Sequence, residues 1–154
     1  MIPATARQGA LPSLRMSAAS TQARPTVQLL HELPDGSRHV DWMIAQDPRG
    51  RDPLVTFRVQ HRVDDLPAGR RIEAVRIADH RPAYLAYEGP VSGDRGTVKR
   101  LARGTATVLD ERPQGWRVEV CWEAPPGRSQ PQHLRLTRQG PASEAWIIEA
   151  LGDP

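Results

Sequence analysis

Along most of the chain the hydrophobic positions recur every second residue, in short runs punctuated by Gly and Pro. Val40, Trp42 and Ile44 alternate with His39, Asp41 and Met43, and Trp116, Val118, Val120 and Trp122 share one side of another run. A period of two places alternate side chains on opposite faces of a β-strand. Strands are therefore expected at Val27–Leu33, His39–Ala45, Leu54–Val59, Gly104–Leu109, Trp116–Glu123, His133–Thr137 and Ala145–Leu151. Arg71–Ile77 fits a strand or a short helix, and Val63–Ala68 a polar turn region. No internal repeat is present. The series predicts a mainly β protein, a compact antiparallel β-barrel with short helical segments.

Composition narrows this picture. A chain of 154 residues suits one hydrophobic core, and 15 prolines with 12 glycines favour many short strands over long helices. Residues 26–154 are read as one domain. Residues 1–25 carry three arginines, no acidic residue and no regular apolar period, and are read as a flexible basic tail. A nucleic-acid-binding arm, an organellar targeting peptide, a start at Met16 and a tail with no task all remain open for it. No apolar run of about 18 residues occurs, which argues against a membrane-spanning helix. The single cysteine, Cys121, has no partner for an internal disulfide, and no secretory leader pattern is seen, so a reducing cytoplasm is expected. Oligomeric state is not legible.

Net charge is +3, and Lys99 is the one lysine among 21 basic side chains other than histidine. The planar guanidinium fork binds phosphate oxygens in pairs, so an arginine surface suits nucleic acid. A GC-rich genome produces the same excess with no functional meaning.

The most informative stretch runs from His31 to Met43. Pro34 and Asp35 suit the centre of a type I turn, and Gly36 supplies the positive φ of a bulge, giving a three-residue hairpin loop. In that register Leu33 pairs with Ser37 and His31 lies opposite His39, with Asp41 on the same face. Paired positions have Cβ atoms about 5 Å apart, close enough for two imidazoles and a carboxylate to share a divalent metal. If Asp35 and Gly36 instead form a two-residue loop, His31 pairs with Val40 and points away. Proline before Asp-Gly favours the first register, although a solvated polar face has the same spacing.

A second polar cluster spans Asp79-His80-Arg81, Tyr84 and Tyr87-Glu88-Gly89, followed by Ser92 to Gly96. Pro82 and the glycines predict loop. His80 and the Tyr84 hydroxyl suit contact with a phosphate, or simple packing and capping. Ser92–Gly96 lacks the Gly-Lys-Ser or Gly-Lys-Thr ending of a nucleotide-binding loop and reads as a tight turn.

Taken in order, His39-Val-Asp41-Trp, Asp79-His80 with Tyr84, and Tyr87-Glu88-Gly89 resemble the 3′-phosphoesterase domain of bacterial DNA ligase D, over roughly Val27 to Leu151. The resemblance extends to short stand-alone proteins of that type. It implies a compact β-barrel that uses manganese to remove a terminal 3′ ribonucleoside and then a 3′ phosphate. It further implies His31, His39 and Asp41 as metal ligands, His80 and Tyr84 as the catalytic pair on the scissile phosphate, nucleic-acid 3′ ends as substrate, and a DNA ligase or other end-joining proteins as partners. Four departures stand out. Met43 occupies the place of an arginine that contacts phosphate, Leu29 that of a glutamine, and Ala78 that of an acid; the family's acidic and basic N-terminal arm has no counterpart before Glu32.

Two other readings use the same residues. A catalytically silent domain of this fold would bind nucleic acid or another anion through its arginines. A non-haem iron centre would pair His39 and Asp41 with His133. Cys121, on an alternating strand with no evident base, is expected to pack in the core or at a strand edge.

Overall fold

The computed structural model describes residues 22–123 and 130–152. Most of the tail expected over 1–25 lies outside the described residues, but Arg24 and Pro25 already belong to the first strand. Nine strands follow in order: β1 (Arg24–Glu32), β2 (Arg38–Ile44), β3 (Leu54–Val59), β4 (Arg71–His80), β5 (Gly89–Pro90), β6 (Thr97–Arg112), β7 (Gly115–Trp122), β8 (Gln132–Arg138) and β9 (Ala145–Leu151). One 3₁₀ turn, Pro82–Leu85, is the helical segment among the described residues.

Neighbouring strands run antiparallel in the order β1-β2-β3-β4-β9-β8-β7-β6-β5, and β1 also pairs with β6. The sheet thus closes into a ring rather than a regular barrel. Closure depends on β6, which pairs with β1 through its first part and with β7 through its second. Bulges at Gln28/Leu29 and at Val108/Asp110 bend the sheet where these pairings shift. Arg71–Ile77, open between strand and helix in the sequence, is strand because β4 finds partners on both sides, β3 and β9.

The interior is one continuous core. Val40, Trp42 and Ile44 of β2, Val55 and Phe57 of β3, and the expected stripe Trp116, Val118, Val120 and Trp122 of β7 all point into it. Phe57 sits among three indoles, its ring centroid 5.3 Å from Trp146, 6.1 Å from Trp42 and 6.4 Å from Trp116. Cys121 alternates outward on β7 and is exposed, so of the core or strand-edge packing expected from the sequence the core is ruled out.

One end of the ring is plugged by the segment between β3 and β4. Val63 and Leu66 enter the core, and two buried glutamines satisfy the plug's backbone. The Gln28 carbonyl oxygen accepts from Val63 N at 2.6 Å, while Gln132 Nε2 donates to the carbonyls of Val63 and Leu66. Gln132 Oε1 in turn accepts from the Trp122 indole at 2.7 Å. Buried polar groups are tolerable only when paired in this way.

A second, smaller core lies on the outside of the ring. Val27 and Leu29 of β1, Met43 of β2 and Leu54 of β3 face outward and are covered by Val98 and by Tyr84, Leu85 and Val91 of the segment between β4 and β6. β2 is therefore buried on both faces. This covering flap is what turns an outer sheet face into a cleft.

Candidate metal centre

The β1–β2 hairpin forms in the bulged register. Leu33 N donates to Ser37 O at 2.8 Å, Gly36 N donates to Leu33 O at 2.9 Å, and Gly36 has φ +88°. His31 is consequently the direct partner of His39. On the outer face the next row is Leu29, Asp41 and Arg58, paired across β1, β2 and β3.

His31, His39 and Asp41 each offer a ligand atom, and these atoms lie within 4.8 Å of one another. His39 Nε2 is 3.3 Å from Asp41 Oδ1, and His31 Nδ1 is 3.8 Å from Oδ2. Arg58 Nε stands 3.7 Å from Oδ1. Asp41 is 1% exposed and His39 7%. Yet Asp41 Oδ1, His39 Nε2 and Arg58 Nε are enclosed without a hydrogen-bond partner among the described residues. Buried polar atoms are rarely left this way, and each raises the question of what else satisfies it. Donors about 2.1 Å from a shared ion, in tetrahedral or octahedral arrangement, sit roughly 3.0–3.4 Å apart. The His39–Asp41 distance matches that spacing, the His31–Asp41 distance is longer, and the widest separation reaches 4.8 Å, so the donor set suits a divalent cation that draws the side chains together.

The tautomer of His31 supports the same fit. Its Nε2 lies 2.8 Å from the Arg95 carbonyl oxygen, which only accepts; Nε2 therefore carries a proton, and in the neutral ring Nδ1 presents its lone pair toward Asp41. Orientation of a ligand imidazole by a backbone carbonyl is the usual support for a metal-binding histidine. The carbonyl is held by the flap: Val91 N donates to Gly96 O at 2.8 Å, and Arg95 Nε donates to Ser92 O at 2.7 Å. Ser92–Gly96 is thus a tight turn. At Gly96 a Cβ would lie 1.9 Å from the Glu32 carbonyl oxygen, so only glycine lets the flap approach β1 this closely.

The cluster opens on a cleft of about 720 Å³. Its lining includes His31, Asp41, Met43, Arg58, His80, Arg81, Tyr84 and Arg95. His80 and Tyr84 pack edge to face at 5.6 Å, and Arg81 lies over the Tyr84 ring at 5.8 Å. His80 Nδ1 is 3.0 Å from the Ala78 carbonyl, which leaves Nε2 of the neutral ring as an acceptor. Asp79 is drawn toward Arg76, at 3.6 Å, and Gln46. Met43 gives the cleft an apolar floor, and it is buried in the outer core together with Leu29.

Sequence reasoning did not single out Arg58 or the Arg95 carbonyl. The signal for Arg58 was its place as the one charge in the Leu54–Val59 run, but its relation to Asp41 depends on β2 and β3 being neighbours. His133, considered as an alternative third ligand, sits on β8 with Glu119 at 3.7 Å and is not part of the cluster.

No family model matches the sequence, and no curated protein matches it significantly. Among the described residues no helix is long and apolar enough to cross a membrane.

Proposed function

We propose that this chain is a metal-dependent phosphoesterase-like protein acting on the 3′ ends of nucleic acid. The observation that carries the reading is the convergence of two imidazoles and a carboxylate, with enclosed unpartnered atoms, at the base of a cleft lined by arginines. The likeness of these motifs to the ligase D phosphoesterase domain supplies the substrate class, manganese as the preferred ion, and a DNA ligase or other end-joining proteins as partners, while the single cysteine favours a reducing cytoplasm as the setting.

In this reading His31 Nδ1, His39 Nε2 and the Asp41 carboxylate hold the ion, which when bound would polarise a phosphoryl oxygen. Arg58 offsets the charge of Asp41 and directs its remaining donors to phosphate. The Tyr84 hydroxyl donates to a second phosphate oxygen. His80, braced by Ala78 O, would take up a proton from solvent at Nε2 and pass it to the departing ester oxygen as water attacks the phosphorus.

A second reading, a catalytically silent domain that binds nucleic-acid ends, is favoured by the apolar floor: Met43 has neither the charge nor the paired donors of the arginine in the family it resembles. One experiment separates the two. With manganese and a primer–template bearing a 3′ phosphate or a 3′ ribonucleotide, the enzymatic reading predicts metal-dependent product that is lost in Asp41→Asn. Salt-dependent binding of the same DNA with no product from either end would leave the silent domain.

A further inference from the structure

The ring end opposite the plug is open, and its mouth is a cavity of about 650 Å³ distinct from the metal cleft, although Ala78 borders both. Its volume lies within the range of small-ligand sites, and the mouths of β-barrels are a common place for them. Three features make it more than a gap between loops. Trp116 and Trp146 form apolar walls. The Arg76 guanidinium, on a side chain 35% exposed, lies 5.9 Å from the ring centroids of both Phe57 and Trp116. Arg138 also lines the mouth, with Nε donating to Ser143 O and no bond to its terminal nitrogens among the described residues.

The indoles provide the second observation. Trp42 donates to Thr26 Oγ1 and Trp122 to Gln132 Oε1. Trp116 and Trp146 make ring contacts, but their indole N–H groups meet no acceptor among the described residues. Neither nitrogen is among the fully enclosed unpartnered atoms, so each keeps some solvent access. An indole N–H that solvent reaches is satisfied by water until a ligand acceptor replaces it. The mouth also contains Glu111 and Glu144, but Glu111 lies in the field of the buried Arg24 guanidinium.

We propose that the barrel mouth is a second binding site, independent of the metal centre, for a small flat ring bearing an oxyanion. The ring would lie against Trp116 and Trp146 in the slot beside Arg76. Its carboxylate or phosphate oxygens would accept from Arg76, Arg138 and the indole N–H groups. An aromatic carboxylate and a purine mononucleotide share this chemistry.

The test is an ¹⁵N spectrum of the full chain with chelator present, in which the four tryptophans report separately. Benzoate and adenosine monophosphate are titrated in turn, with benzyl alcohol and adenosine as their neutral counterparts. The expected result is a saturable shift of the Trp116 and Trp146 indole signals, but not those of Trp42 and Trp122, by at least one anion with a Kd of about 1 mM or tighter. That anion should bind at least about tenfold more tightly than its neutral counterpart, and Arg76→Gln or Arg138→Gln should remove the preference. Which anion saturates first assigns the source. No saturable shift with either anion, equal binding of the neutral compounds, or a preference that survives both substitutions would overturn the proposal. Chelation keeps this result separate from any failure of the metal centre.

Discussion

His31 and His39 stand directly opposite each other on β1 and β2, with ring centroids 4.9 Å apart and planes at 78°. Edge-to-face packing turns Nδ1 of one ring and Nε2 of the other toward the same buried carboxylate, Asp41. A shift of one residue in the pairing would send one histidine into the barrel interior. The site therefore depends on the geometry of the hairpin loop.

That dependence predicts the effect of Gly36→Ala. A Cβ at Gly36 meets nothing within 4 Å, so the penalty comes from φ +88° alone. Urea denaturation should show a loss of about 1–2 kcal/mol, and a smaller loss for Gly36→Asn, whose side chain tolerates the left-handed region better. Equal stability of all three proteins would show that the bulged loop does not set the register.

The plug predicts a larger effect at Gln132. Gln132→Leu keeps the volume but strands the Trp122 indole N–H and the Leu66 carbonyl, while the Val63 carbonyl keeps its bond from Leu66 N. A cost of about 1–3 kcal/mol is expected for each group left unpaired in the interior. Denaturation of the variant measures it; a change within about 0.5 kcal/mol would mean that water replaces the lost bonds.

Much of this architecture was legible in the sequence because strict alternation has one physical meaning. The bounds of β3 and β9 and the inward stripe of β7 follow from it. β6 was read too short, as Gly104–Leu109. Its early buried positions change sides across the bulge, Val98 entering the outer core and Ala102 the inner one, so no single period spans them. The turn chemistry of Pro34-Asp35-Gly36 was enough to pair His31 with His39. The flap was legible only as loop: that it covers β1 and β2, and that its Arg95 carbonyl orients His31, depends on chain paths that local sequence does not encode.

Asp47 carries a pH signature. Its carboxylate accepts from the backbone N–H of Asp52 at 2.9 Å, of Arg51 at 2.9 Å and of Arg49 at 3.2 Å, and these bonds, Asp52 foremost, hold its pKa below the ordinary carboxylate value. A depressed folded-state pKa stabilises the fold above the unfolded value of about 3.9, and that contribution disappears as pH falls through the folded value. Asp47→Asn keeps an acceptor oxygen but not the charge. The stability gap between wild type and variant should therefore stay constant near neutrality and close below about pH 4. A gap that persists in acid would assign the loop's stability to something other than the charge.

The central claim is that the β1–β2 hairpin and its Asp41 hold a divalent cation, and its most direct test is a manganese titration of the full chain followed by the paramagnetic signal of free Mn²⁺. Wild-type protein should remove the signal until one ion is bound per chain. His39→Ala and Asp41→Asn should each weaken binding by at least about tenfold while the circular dichroism of the fold is unchanged. A wild-type chain that leaves all of the manganese free, or variants that bind it as tightly as wild type, would contradict the account.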